Sequence, residues 1–313
     1  MVDPLGLDDR PAGALLPCPR AGRPSAGEVE SRARILELNV GVVEDLHRRT
    51  RRTEKGPEGF CQDFQVCFPY QGVFVWHVGN DDVIGDPNQV VFVRGGEEYR
   101  MTSPSTRGYA ELIITPDLGV LSELAHVNGR PLAEHALFTR RALRTGPRVQ
   151  ALRTSLLHRA TAGRPLDGLE AEEAVLALLR AAIQQETGHL RPVTAATARL
   201  LRRTKEVLES RMTERLRLAD IARTVGVSPA YLTDLFSRFE GVSLHQYLTQ
   251  LRLSRALLEL PHAPDLTALA LELGFSSHSH FTFAFRRAFG CTPSAFRELT
   301  RPGLCALLSR RPT

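Results

Sequence analysis

The feature that most constrains this chain is an internal duplication near its C-terminus. "LADIARTVGVSPAYLTDLFSRFEGVS" at 218–243 and "LTALALELGFSSHSHFTFAFRRAFGCT" at 266–292 align at an offset of 48 through Leu218/Leu266, Ile221/Leu269, Ala222/Ala270, Val225/Leu273, Gly226/Gly274 and Ser228/Ser276. One inserted residue moves the offset to 49, so that Leu232 matches Phe281, Phe236 matches Phe285 and Gly241 matches Gly290. Each unit reads as helix, tight turn, helix. Gly226 and Gly274 stand where a left-handed residue ends the first helix, and Ser228 and Ser277 stand where a hydroxyl caps the second. Ala222 and Ala270, four residues before each glycine, let the two helices approach closely. One such unit is an ordinary helix pair, whereas two in register specify a double helix-turn-helix.

On a wheel of about 100° per residue, Phe285 and Phe289 fall within about 80° of Phe281 and form an inward stripe. Ser279, Thr282, Phe283 and Arg286 fall on the opposite face. The same offset gives the first unit an inward Leu232, Leu235, Phe236 and Phe239 and an outward Ala230, Thr233, Asp234 and Ser237. The second helix of such a unit enters the major groove of DNA, so these eight outward residues are the candidates for base readout. The hydroxyls of Thr233, Ser237, Ser279 and Thr282 suit several bases, and Asp234 accepts from a cytosine amino group. Arg286 suits guanine or a phosphate, and Phe283 suits a thymine methyl or the neighbouring subdomain. His278 and His280 invite a metal reading, but on a helix they lie about 160° apart and do not share a ligand sphere.

Residues 197–300 resemble the double helix-turn-helix DNA-binding domain of the AraC family of bacterial transcription regulators. The densest match is the Gly274-Phe275-Ser276 turn with Phe281, Phe285, Arg287, Phe289-Gly290, Pro293 and Arg297. The resemblance implies a regulator that is an activator recruiting RNA polymerase, with a cupin-like effector domain ahead of the DNA-binding domain. It also marks two departures, because the family commonly carries a polar or basic residue where Phe283 stands and often a basic one where Asp234 stands.

"SLHQYLTQLRLSRALLEL" joins the units as about seventeen helical residues, a rod of about 25 Å. That length suits two recognition helices in successive major grooves on one face of double-stranded DNA, about 34 Å between centres. Arg252, Arg255, Arg287 and Arg297 are the candidate phosphate contacts. Charge agrees with this division: residues 191–313 carry 18 Lys and Arg against 10 Asp and Glu, and the remainder carries 22 against 25. A basic C-terminal part behind a slightly acidic one is the asymmetry expected when one domain meets a polyanion.

From Phe60 to Thr115 the apolar period is two. "FCQDFQVCF", "GVFVWHVG", "QVVFVR" and "AELIIT" read as strands punctuated by "GNDD", "GDPN" and "RGG". A compact β-barrel or sandwich is expected; such a barrel can enclose a small-molecule effector, with Tyr70, Trp76, His77, Tyr99 and Arg100 as the candidate contacts. A metal-dependent cupin enzyme would show G-x5-H-x-H-x3-4-E, which this stretch lacks; that enzyme class is the alternative function. No catalytic residue, metal site or cofactor is assigned. Cys61 and Cys67 read as buried thiols on the same side of one strand, too far apart for a disulfide.

The expected architecture is α+β: a disordered arm over 1–30, a cupin-like β-barrel over 31–135, a helical dimerisation and linker region over 136–190, and an all-α DNA-binding domain over 191–313. Helices are expected at Asp117–His126, within "RVQALRTSLLHRA" and within "LEAEEAVLALLRAAIQQE"; the apolar faces of those between about 147 and 187 suit a homodimer, or packing on the barrel. No run approaches eighteen apolar residues, and the N-terminus has acidic residues and prolines where a signal peptide would be basic and apolar. The expected location is the cytoplasm, with no membrane partner.

Overall fold

A computed structural model of the protein describes residues 29–49, 55–56, 58–79, 81–103, 108–127, 140–161, 166–184 and 194–299. The arm expected over 1–30 lies outside them except at its last two positions, which begin a strand, and so does the expected boundary at Gly188–Pro192.

The N-terminal half is β-rich and the C-terminal half is helical. The strands are β1 (Val29–Leu38), β2 (Gly41–Arg49), β3 (Gly59–Cys61), β4 (Gln65–Gln71), β5 (Phe74–Val78), β6 (Asp81–Gly85), β7 (Gln89–Val93), β8 (Glu97–Thr102), β9 (Tyr109–Pro116) and β10 (Ala142–Arg144). They form two open sheets, β1-β2-β9-β4-β7-β10 and β3-β8-β5-β6, and not the single closed barrel expected from the sequence. The expected strand "FCQDFQVCF" is broken at Gln62–Phe64, which puts Cys61 and Cys67 on different sheets. Both thiols are buried. The β domain also reaches beyond its expected end at 135, because β10 pairs with β7.

Period two decides what each face of the larger sheet meets. Ala110, Leu112 and Ile114 of β9, with Val66 and Phe68 of β4, join one apolar cluster with the helices α1 (Leu118–Val127), α2 (Pro147–Thr161) and α3 (Gly168–Gln184). Tyr109 and Ile113, with Cys67 and Val91, turn instead to the smaller sheet. The apolar faces of α2 and α3 that suited a second copy are therefore spent on this chain's own sheet through Leu156, Leu157, Val175, Leu178 and Ile183.

The C-terminal half comprises α4 (Ala195–Ser210), α5 (Leu218–Val225), α6 (Pro229–Glu240), α7 (Leu244–Glu259), a single 3-10 turn (Leu260–His262), α8 (Leu266–Glu272), α9 (His278–Phe289) and α10 (Pro293–Leu299). α7 starts in a capping box, Ser243 accepting from the Gln246 amide while the Gln246 side chain accepts from Ser243 N–H. Its 16 residues make a rod of about 24 Å.

The halves meet through buried polar groups. Lys205 of α4, 1% exposed, places Nζ 3.1 Å from Asp86 Oδ2 and 2.9 Å from Glu240 Oε1. The Gln89 amide, turned so that its oxygen accepts, supplies a third acceptor at 2.7 Å. Burial pulls the Lys205 pKa down, but Asp86 and Glu240 more than reverse this and leave it raised. Arg153 of α2 is buried, donating to Pro69 O and to Ser254 Oγ, 2.5 and 3.1 Å away. Burial lowers its pKa to about 9. Arg144 donates to Glu240 O at 3.0 Å and to the Gln250 side chain.

Candidate nucleic-acid interface

Each helix-turn-helix is locked by its own caps. Gly226 adopts φ 80° and donates to Ala222 O at 2.9 Å, and Ser228 caps α6 by accepting from Tyr231 N at 3.2 Å. In the second unit Gly274 has φ 83°, and a Cβ there would stand 2.7 Å from Thr213 O, so only glycine fits without a shift of the backbone. Asp265 caps α8 by accepting from the amides of Thr267 and Ala268, which hold its carboxyl below the usual range. Ser277 caps α9, accepting from His280 N at 3.1 Å.

Inward residues fix how far each recognition helix stands out. Leu232, Leu235 and Phe236 of α6 are buried with Ile221, Ala222 and Tyr247. In α9 the ring centroids of Phe281 and Phe285 are 5.7 Å apart, those of Phe285 and Phe289 4.5 Å, and Phe296 of α10 closes the stack. Such rings bury much apolar surface in a fixed geometry, which holds α9 against α8 and α10.

The outward residues take the positions that the wheel assigns them. Ala230, Thr233 and Asp234 of α6 are exposed and Ser237 half-buried; Ser279, Phe283 and Arg286 of α9 are exposed and Thr282 half-buried. Phe283, at 66% exposure, is the most exposed large apolar side chain of the described residues and has no neighbouring-subdomain cover. Thr233 donates its hydroxyl to Pro229 O at 2.8 Å, leaving its oxygen lone pairs outward. Asp234 pairs with Arg238 at 2.8 Å. His278 lies beside Thr282 and His280 beside Ser276, so the two rings have different partners.

The candidate phosphate contacts divide. Arg287 is exposed. Arg255 pairs with Glu259 on the same helix, and Arg297 donates to Ala263 O at 3.1 Å. Arg252 must be withdrawn: it is buried, donates to Met212 O at 2.6 Å and Glu214 O at 2.8 Å, and lies against Phe275, so it pins α7 to the chain between α4 and α5. Arg238, 52% exposed, was missed. The offset of 49 that carries Phe236 to Phe285 also carries Arg238 to Arg287, and that signal was available in the sequence.

The effector candidates separate too. Tyr70 faces α2, its hydroxyl donating to Asp45 Oδ1 at 2.6 Å with the Arg153 guanidinium near its ring, so it belongs to the junction between the halves. His77 is held between Asp82 and Thr102, and Arg100 lies 3.6 Å from Glu58 on an outer cleft. Only Trp76 and Tyr99 of the five line the space between the sheets. Among the described residues no group of three or more His, Cys, Asp or Glu is placed to hold a metal ion.

A family model described as a helix-turn-helix domain matches residues 221–299. The chain is 32% identical over 124 residues to the Msm operon regulatory protein of Streptococcus mutans, a match covering 39% of this chain and 44% of that protein. It is 37% identical over 83 residues to the HTH-type transcriptional regulator ExsA of Pseudomonas aeruginosa, covering 26% and 30%. Among solved structures, an AraC-type DNA-binding domain regulator from Chromobacterium violaceum is 33% identical, with TM-score 0.33, over 35% of this chain and all of that one. The chain thus spans less than half the length of these two curated relatives.

Proposed function

We propose that the chain is, through its C-terminal domain, a regulator of the AraC family, and that it binds a two-part DNA site and regulates transcription there. The observation that carries this reading is the pair of outward faces, Ala230/Thr233/Asp234/Ser237 on α6 and Ser279/Thr282/Phe283/Arg286 on α9, left open on two units joined by one rigid helix. Arg238 and Arg287 stand at equivalent exposed positions to meet phosphates and fix the register.

The β domain is read as the sensing part: its sheets enclose a cavity, and its loop residues Asp86 and Asn88 reach Lys205 and Tyr247 of the DNA-binding half. A small-molecule effector, activation through RNA polymerase and a cytoplasmic location complete the proposal. A homodimer would use the exposed Leu118 and Leu169, since the larger apolar faces of α2 and α3 are already covered. No helix of the described residues is long and apolar enough to cross a membrane.

Selection of bound sequences from random double-stranded DNA with the full chain tests the central claim. A motif in two parts about ten base pairs apart is expected; no enrichment at moderate salt would refute DNA reading altogether.

A further inference from the structure

The cavity between the two sheets carries chemistry that DNA binding does not use. It measures about 50 Å³, and at the 10–15 Å³ that one water needs, this is room for roughly three to five waters or one small head group. Its apolar walls are aromatic: Phe74, Trp76 and Tyr109 are buried, and Tyr99 stands edge-on to Trp76 with centroids 5.6 Å apart. Phe74 is fixed by Gly85, where an added Cβ would lie 2.2 Å from the ring.

The polar inventory is unbalanced. Glu30, Arg32 and Arg48 form a partly exposed rim, and both guanidiniums are already matched, Arg32 to Glu44 at 2.5 Å and Arg48 Nε to Glu30 at 2.9 Å. That leaves Glu111 of β9, which is 5% exposed, lines the cavity and has an Oε2 that accepts no hydrogen bond. Three carboxyls therefore face two guanidiniums, and the excess carboxyl is the innermost. A buried carboxylate without a partner is costly, and aromatic faces around it attract cations with alkyl substituents. Trp76 already shows this attraction to the Arg141 guanidinium, which sits 5.8 Å from the ring centroid.

We propose that this cavity binds a small monocationic amine, a primary or N-methylated alkylammonium, with Glu111 as its counter-ion and Trp76, Tyr99 and Tyr109 around its alkyl part. An anion would meet Glu111 and guanidiniums whose charge is already spent, and a neutral guest would gain nothing from the carboxyl charge and leave it to hold its own proton. The proposal rests on the reading of the β domain as the sensing part.

Trp76 is the only tryptophan of the chain, so its fluorescence reports occupancy directly. The full chain is titrated with propylammonium and trimethylammonium chloride, against n-butanol, butyrate and potassium chloride at matched ionic strength. A saturable change in Trp76 emission with the ammonium probes only is expected, weakened at least tenfold in Glu111→Gln. Glu111→Gln keeps the side-chain volume, and circular dichroism with an unchanged emission maximum checks that it folds. No response to either ammonium up to tens of millimolar, an equal response to butanol or butyrate, or an undiminished response in Glu111→Gln would overturn the proposal. DNA affinity measured with and without saturating probe separates the two readings. Ammonium binding that leaves DNA affinity unchanged refutes sensing and keeps the site, whereas DNA affinity that responds to butyrate alone refutes the site and keeps sensing.

Discussion

Lys205 and Asp86, both about 1% exposed, hold each other at 3.1 Å across the junction between the DNA-binding half and the β domain. The same ammonium reaches Glu240 at the end of the first recognition helix, so one buried cation ties the β6–β7 turn, α4 and α6 together. Where α6 stands is thereby coupled to the sheet that encloses the cavity.

Lys205→Met leaves Asp86 and Glu240 buried without a cation. Removing one partner of a buried ion pair costs about 3–5 kcal/mol, so calorimetry should show a large fall in Tm. Adding Asp86→Asn to Lys205→Met should recover part of that loss, because it removes one of the stranded charges; a double variant as unstable as the single would show that the pair does not couple.

Thr233 and Thr282 occupy the same place on α6 and α9, an offset of 49 apart. Thr233→Ala and Thr282→Ala should each relax preference in a different half of the site, by about 1–3 kcal/mol for a base each threonine reads. Both variants relaxing the same half, in binding to single-base variants of the selected site, would contradict the placement.

Arg238→Gln and Arg287→Gln should each lower the slope of log affinity against log salt by about one. Arg252→Gln should leave that slope unchanged and lower Tm, since its guanidinium serves two backbone carbonyls inside the domain.

Burial pushes the Glu111 carboxyl up to about 7, against the opposing pull of Arg32 and Arg48. Glu30 and the Cys61, Cys67, Tyr99 and Tyr109 side chains complete its surroundings. Between the ordinary carboxyl value and 7 the folded protein keeps a proton that the unfolded chain has lost. Stability is therefore full in acid and declines as pH rises through about 7, by a total on the order of 3 kcal/mol. Glu111→Gln should flatten this decline in Tm measured from pH 5 to 8; an unchanged slope would assign the decline to other groups.

The sequence by itself determined what short-range chemistry fixes. The repeat, the left-handed Gly226 and Gly274, the caps at Ser228 and Ser277 and the interleaved faces of α9 all depend on neighbours within one or two helical turns, where spacing translates directly into geometry. Tertiary structure decided the rest. β1 and β2 escaped notice because strands such as "VESRARILEL" carry charges on the face that lines the cavity rim, so their apolar alternation is weak. Arg252 looked like any exposed arginine of a basic helix until its partners, 38 and 40 residues away, were placed. Lys205 lies on the stripe of Leu201, Thr204 and Leu208, a hint that it is buried, but no spacing along the chain names Asp86 as its partner. Which buried charges meet depends on how the two halves dock, a property of surfaces assembled from distant segments that no local pattern encodes.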